Sequence, residues 1–88
     1  MLHIEGRRWF RRTAGNTYNT VYIYKDGECI AKLPKEDGYG EYYLQRAWTW
    51  LQEHGYIPSW ASYGGTQYLR EVLRASYSVV DVAREKDL

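Results

Sequence analysis

The residues of this chain that could do covalent chemistry are few and scattered. His3 and His54 are its two histidines, and Cys29 is its single cysteine. A serine or cysteine nucleophile needs a base within hydrogen-bond reach, and neither histidine has such a partner nearby in sequence. His3 falls at a chain terminus, expected to be flexible. His54 falls at the end of a helix, where a cationic imidazole suits the dipole. Cys29 lies inside a hairpin rather than at a helix N-terminus that would lower its pKa, and reads as a small core residue. No H-x-x-x-H, C-x-x-C or D-x-D spacing occurs, so no metal site is readable. Asp26, Asp37 and Asp81 are far apart, and only the fold could assemble them into a carboxylate pair. Gly38-Tyr39-Gly40 precedes a helix, where backbone N–H groups can hold phosphate. It lacks the further glycines and lysine of a P-loop, and Glu36, Asp37 and Glu41 would repel an anion. That stretch reads as loop and cap, as does Gly64-Gly65 before Thr66. No catalytic residue and no cofactor is assigned, and the chain reads as non-enzymatic.

Binding chemistry is more visible. Arg7-Arg8-Trp9-Phe10-Arg11-Arg12 places four of the twelve cations within six residues, interleaved with two aromatics. On a strand, Arg7, Trp9 and Arg11 share one face, beside Tyr22 and Tyr24 of the next strand. Guanidinium and aromatic groups of this kind stack on unpaired bases and grip phosphates. They also anchor protein interfaces, because they bury much area at little conformational cost. The plainer reading is an edge strand defended by charge, with Trp9 covered by a helix. Tyr39 in the loop and Trp50 on the helix complete the candidate binding set: Arg7, Trp9, Arg11, Tyr22, Tyr24, Tyr39 and Trp50.

The elements that would position these residues follow from turn and period signals. Arg7 to Leu33 reads as a three-stranded meander, with Gly15-Asn16 and Asp26-Gly27 as two-residue hairpin loops. That register sets Phe10 opposite Val21, Ile23 opposite Ile30, Trp9 opposite Tyr22, Arg7 opposite Tyr24 and Arg11 opposite Thr20. Cys29, Ala31 and Leu33 join the arginine–aromatic face. Pro34 ends the third strand. Glu41 to His54 is a helix, with Leu44, Ala47, Trp48 and Leu51 at i, i+3, i+4, i+7 spacing and Gly55 at the left-handed C-cap. Trp48 reads as core, with Tyr42, Tyr43 and Trp50 partly off the stripe. Thr66 can cap a second helix to about Arg74, carrying Leu69, Val72 and Leu73 on one side. Tyr77 to Ala83 reads as a fourth strand, and Arg84 to Leu88 should fray. The expected fold is α+β, a βββααβ two-layer sandwich.

Composition sets the bounds. Eighty-eight residues permit one domain, residues 1–88. A formal charge of +1 excludes a polybasic nucleic-acid binder and an acidic tail protein. No apolar run reaches the length of a membrane span, and no signal-peptide pattern opens the chain. One cysteine suits a reducing, cytoplasmic setting. Ten Tyr, four Trp and one Phe are more than a core of this size comfortably hides, because Tyr hydroxyls need polar partners or water. A surface aromatic patch is therefore expected, as a partner site or a homodimer seam.

Arg8-Trp9-Phe10, Gly15-Asn16-Thr17-Tyr18, Val21-Tyr22-Ile23-Tyr24, Gly38-Tyr39-Gly40 with Tyr43-Leu44-Gln45, and Val82 to Leu88 together resemble small uncharacterised bacteriophage-encoded proteins. The resemblance implies a context, since small phage proteins of this kind often act by binding, including as inhibitors of host defence systems such as CRISPR. The expected function is that of a small non-enzymatic binding protein, an accessory protein or inhibitor acting on a host protein or complex in the host cytoplasm. Its alternative is a nucleic-acid-binding module with the sheet as stacking platform, and a third reading is a small-molecule or nucleotide binder.

Overall fold

A computed structural model describes residues 1–38, 40–62 and 67–88, with the side chain of Gln67 outside the description. Three ten-residue strands, β1 (Leu2–Arg11), β2 (Asn16–Lys25) and β3 (Glu28–Asp37), precede the main helix α1 (Tyr42–Glu53). A five-residue helical turn α2 (Gln67–Glu71), the strand β4 (Ser76–Asp81) and a 3-10 turn over Glu85–Asp87 complete the order. The sheet runs β3-β2-β1-β4, antiparallel except for the parallel β1–β4 pair. The fold is α+β, with a mixed four-stranded sheet and one main helix. The second helix is shorter than its sequence pattern suggests. Its expected cap, Thr66, lies outside the described residues, as do Tyr39, Gly64 and Gly65.

The core forms where α1 crosses one face of the sheet. Leu2, Ile4, Val21 and Ile23 meet Tyr43, Leu44, Ala47, Trp48 and Leu51, with Ile57, Leu69 and Ala75 closing the margins. Tyr43 is core, not surface, and Gly6 explains why. A methyl group built on Gly6 would come within 2.5 Å of the Tyr43 ring, so only a bare backbone admits the ring. Gly55 takes a φ of +82°, and the amides of Gly55 and Tyr56 donate back to the carbonyls of Gln52 and Leu51 at 3.3 and 2.8 Å. Val72, expected on an apolar side, is 60% exposed.

Both hairpins form, one as expected and one not. Asp26 and Gly27 carry φ of 52° and 84°, the positive pair a type I′ turn requires. The first loop has four residues, Arg12 to Gly15, closed by Arg11 opposite Asn16, with the amides of Ala14 and Gly15 donating to the Arg11 carbonyl. Trp9 therefore faces Tyr18, Phe10 faces Thr17 and Arg7 faces Thr20. The expected pairs were each four positions too far along β2. An even displacement leaves every side chain on its predicted face, so the arginine–aromatic face survives the corrected register.

β3 departs more seriously. Register shifts between Ile23 and Tyr24 and between Asn19 and Val21 put Ala31 opposite Ile23 and Leu33 opposite Val21. Each irregularity inserts one residue, and the first moves Ala31 and Leu33 to the helix face, where they pack on the core. Lys32 takes their place on the open face. Cys29 is exposed there instead of serving the core. Pro34 does not end β3; an edge strand needs no N–H on its outer side, so proline is tolerated within it.

A candidate arginine–aromatic binding site

Helix α1 spans only about 18 Å against about 33 Å for a ten-residue strand. It covers β1 from Leu2 to Gly6, and the distal half of the β1–β2 hairpin extends beyond it. The burial of β1 records this: Leu2, Ile4 and Gly6 are buried, Arg7 to Trp9 are intermediate, and Phe10 and Arg11 are exposed. Phe10, expected on the aliphatic core face, is 55% exposed because the helix does not reach it. β1 begins at Leu2, not at Arg7. His3 is thus held in the sheet rather than free, its Nδ1 2.7 Å from Ser76 Oγ and its ring 6.2 Å from that of Tyr24.

The distal end gathers cations around aromatic rings. Trp9 and Tyr18 stack across the hairpin, with centroids 6.0 Å apart and planes 26° apart. Lys35 Nζ lies 5.1 Å from the Tyr18 centroid. Arg8, Trp9, Phe10, Arg11, Arg12 and Gly40 line a cleft of about 1010 Å³, closed on the far side by Val82, Ala83, Asp81 and Glu85. Arg8 grips Asp81 with both arms of its fork, at 2.9 and 3.3 Å, and donates to the Gly40 carbonyl at 3.3 Å. Lys35 binds Glu85, and this bond is the first cause holding the Glu85 carboxyl below its ordinary value, with Arg11 adding at longer range. Arg11 donates to Thr13 Oγ1 at 3.3 Å. Neither Arg11 nor Arg12 forms an ion pair among the described residues. Asp81 and Glu85 thus take their ion pairs from Arg8 and Lys35, and Arg11 reaches Glu85 only through its charge.

The middle of the same face is covered. The C-terminal segment, expected to fray, lies across it. Arg7 donates to the Asp87 carbonyl at 3.3 Å, and the Tyr22 hydroxyl donates to the Leu88 carbonyl at 3.0 Å. Tyr22 is 9% exposed, with Arg7 4.4 Å and Lys32 5.4 Å from its ring centroid. Thr20 is also buried on this face, its hydroxyl without a partner among the described residues. Arg7 and Tyr22 are therefore structural supports beneath the strap. Tyr24 sits further along, its phenol pushed above the ordinary range by burial first and the Glu5 carboxylate second.

The structure thus joins Trp9 and Arg11 in one open site, adds Phe10, Arg12, Tyr18 and Lys35, and sets Arg7, Tyr22 and Tyr24 beside it. It does not bring Trp50 there. That ring stacks between His54 at 4.0 Å and Tyr56 at 6.0 Å at the end of α1. Tyr39 lies outside the described residues. Tyr18 could have been found from sequence by continuing the β2 alternation Tyr18, Thr20, Tyr22, Tyr24 back by one step. Gly38 is tied to the sheet, its amide donating to the Thr17 carbonyl at 2.9 Å. Among the described residues no group of three or more His, Cys, Asp or Glu could hold a metal ion, and no helix is long and apolar enough to cross a membrane. Comparison with protein-family models, curated proteins and solved structures finds no match.

Proposed function

We propose that this protein is a non-enzymatic binding module that engages a macromolecular partner through the distal end of its sheet. One observation carries the reading: the stacked Trp9–Tyr18 pair and the exposed Phe10 sit beside two guanidinium groups that form no ion pair among the described residues. Leaving apolar rings in water and cations unmatched contributes nothing to folding. Both become favourable when a partner supplies apolar area and negative charge. The resemblance to small phage-encoded proteins supports a role in an infected cell. The matching test is capture from host lysate on immobilised protein, with and without nuclease, beside a Trp9→Ala/Arg11→Ala/Arg12→Ala variant. Capture of defined components that the triple variant loses supports the reading. Equal capture by both proteins overturns it.

A further inference from the structure

Resting on that reading, we infer that the partner at the distal end is single-stranded nucleic acid, held by Arg11 and Arg12 through phosphates and by Trp9, Tyr18 and Phe10 through bases. The overall charge of +1 argues against this only if charge is averaged over the chain. Locally, Asp81 is paired with Arg8 and Glu85 with Lys35, so the cations of the cleft outnumber its acids and Arg11 and Arg12 form no ion pair among the described residues. Focused fields of this kind recruit anions irrespective of net charge. The aromatic groups separate a nucleic acid from an acidic protein surface. Trp9 and Tyr18 already lie near parallel, a geometry that a flat base can extend. Phe10, on the opposite face of the same strand, offers a second ring across the hairpin tip. A chain that carries flat rings and anions together matches the neighbouring rings and cations of Trp9, Phe10, Arg11 and Arg12. A duplex satisfies only half of the site, since its bases are stacked internally and leave the rings nothing to hold.

The test is fluorescence anisotropy with a labelled 12-nucleotide single strand of mixed sequence, the duplex of the same sequence, and poly-glutamate of matched charge as competitor, over a salt series. The single strand should bind more tightly than the duplex and resist the poly-glutamate. Trp9→Ala should weaken it roughly 5- to 150-fold with little change in salt dependence. Arg11→Ala plus Arg12→Ala should flatten the slope of log affinity against log salt by about 1.4, or 0.7 per lost phosphate contact. Both arginines are exposed, so the double variant retains its fold, which circular dichroism verifies independently of any effect at Trp9. Binding of the single strand weaker than about 10⁻⁴ M, equal binding of the duplex, or full displacement by poly-glutamate overturns the inference. If nuclease-resistant capture of a protein through the same three residues accompanies such a result, the binding-module reading stands and only the partner class falls. If neither is seen, both fall.

Discussion

The two halves of β1 share one strand, one register and one partner strand, yet they serve different ends. From Leu2 to Gly6 the inward side chains are buried to 8% exposure or less and close on α1. From Arg8 to Arg11 the same alternation continues beyond the reach of α1, and the composition changes to arginine and aromatic. What separates them is the reach of one helix: twelve residues of α-helix cannot cover ten residues of strand. The proximal half pays for the fold, and the distal half is free to carry charge. Strand pattern alone therefore says which face a residue occupies, whereas element length says whether that face is core.

The sharpest way to break this division is to delete one large ring on each side of it. Trp48→Ala should destabilise by roughly 3–5 kcal/mol, because the ring is 4% exposed and makes an edge-to-face contact with Tyr68 at 5.1 Å. Phe10→Ala should stay within about 0.5 kcal/mol of the parent. Urea unfolding reads both, and comparable losses would mean that the distal half is core after all. Trp50→Ala should fall between the two, since its stack with His54 and Tyr56 is half-exposed. Gly6→Ala tests the border itself. The added methyl meets the Tyr43 ring, and such overpacking costs about 1–3 kcal/mol. An unchanged midpoint would show that α1 can lift without loss, and the helix would then not define the boundary.

Much of this was legible from residues, and the misses have physical causes. The open face was readable because parity is robust: the first hairpin loop is centred two residues earlier than its Gly15-Asn16 signal implied, which displaces every pair by four positions but flips none. The type I′ turn was readable because Asp26-Gly27 names its own dihedral angles. Ala31 and Leu33 were misplaced because a bulge adds one residue, an odd number, and no residue type in β3 announces it. The strap over Tyr22 was unreadable because its anchors are backbone carbonyls, which any sequence offers. The stack of Trp50 with His54 and Tyr56 was unreadable because helical phase places Trp50 off the stripe without showing which rings lie beside it.

A smaller effect separates conformation from packing at the proximal turn. Gly27 has φ of +84° and open space around its Cα. Gly27→Val should therefore cost about 1–3 kcal/mol from backbone strain alone, with no clash contributing. Thermal unfolding checks it. Gly15, with φ of +70° at the distal loop, should show a similar loss on Gly15→Val, since the loop conformation is equally strained and equally open. A large loss at Gly27 with none at Gly15 would mean that the distal loop relaxes freely, and the arginine–aromatic end would then not be held in place for a partner.

The smallest effect concerns the strap, the one element that crosses from the covered middle of the open face to the distal cleft. Lys35 lowers the pKa of Glu85 from its ordinary carboxylate value, by a hydrogen bond first and its charge second. A carboxyl whose folded pKa is depressed stabilises its contact above the unfolded value, about 4.3 for Glu, and that contribution is lost as pH falls through the folded value. The strap's link at Glu85 should thus hold at neutral pH and loosen only in acid. Because Glu85 is exposed, global stability will barely register the change, and Asp26 shifts in the same direction through its bond to the N-terminus. A local probe is required. Carboxyl-carbon NMR should place the Glu85 midpoint below that of an ordinary glutamate and move it upward in Lys35→Ala. A Glu85 midpoint indifferent to Lys35 would remove the salt link from the strap. The same indifference would leave Glu85 as an unmatched acid in the cleft, reducing the positive field on which the distal half depends.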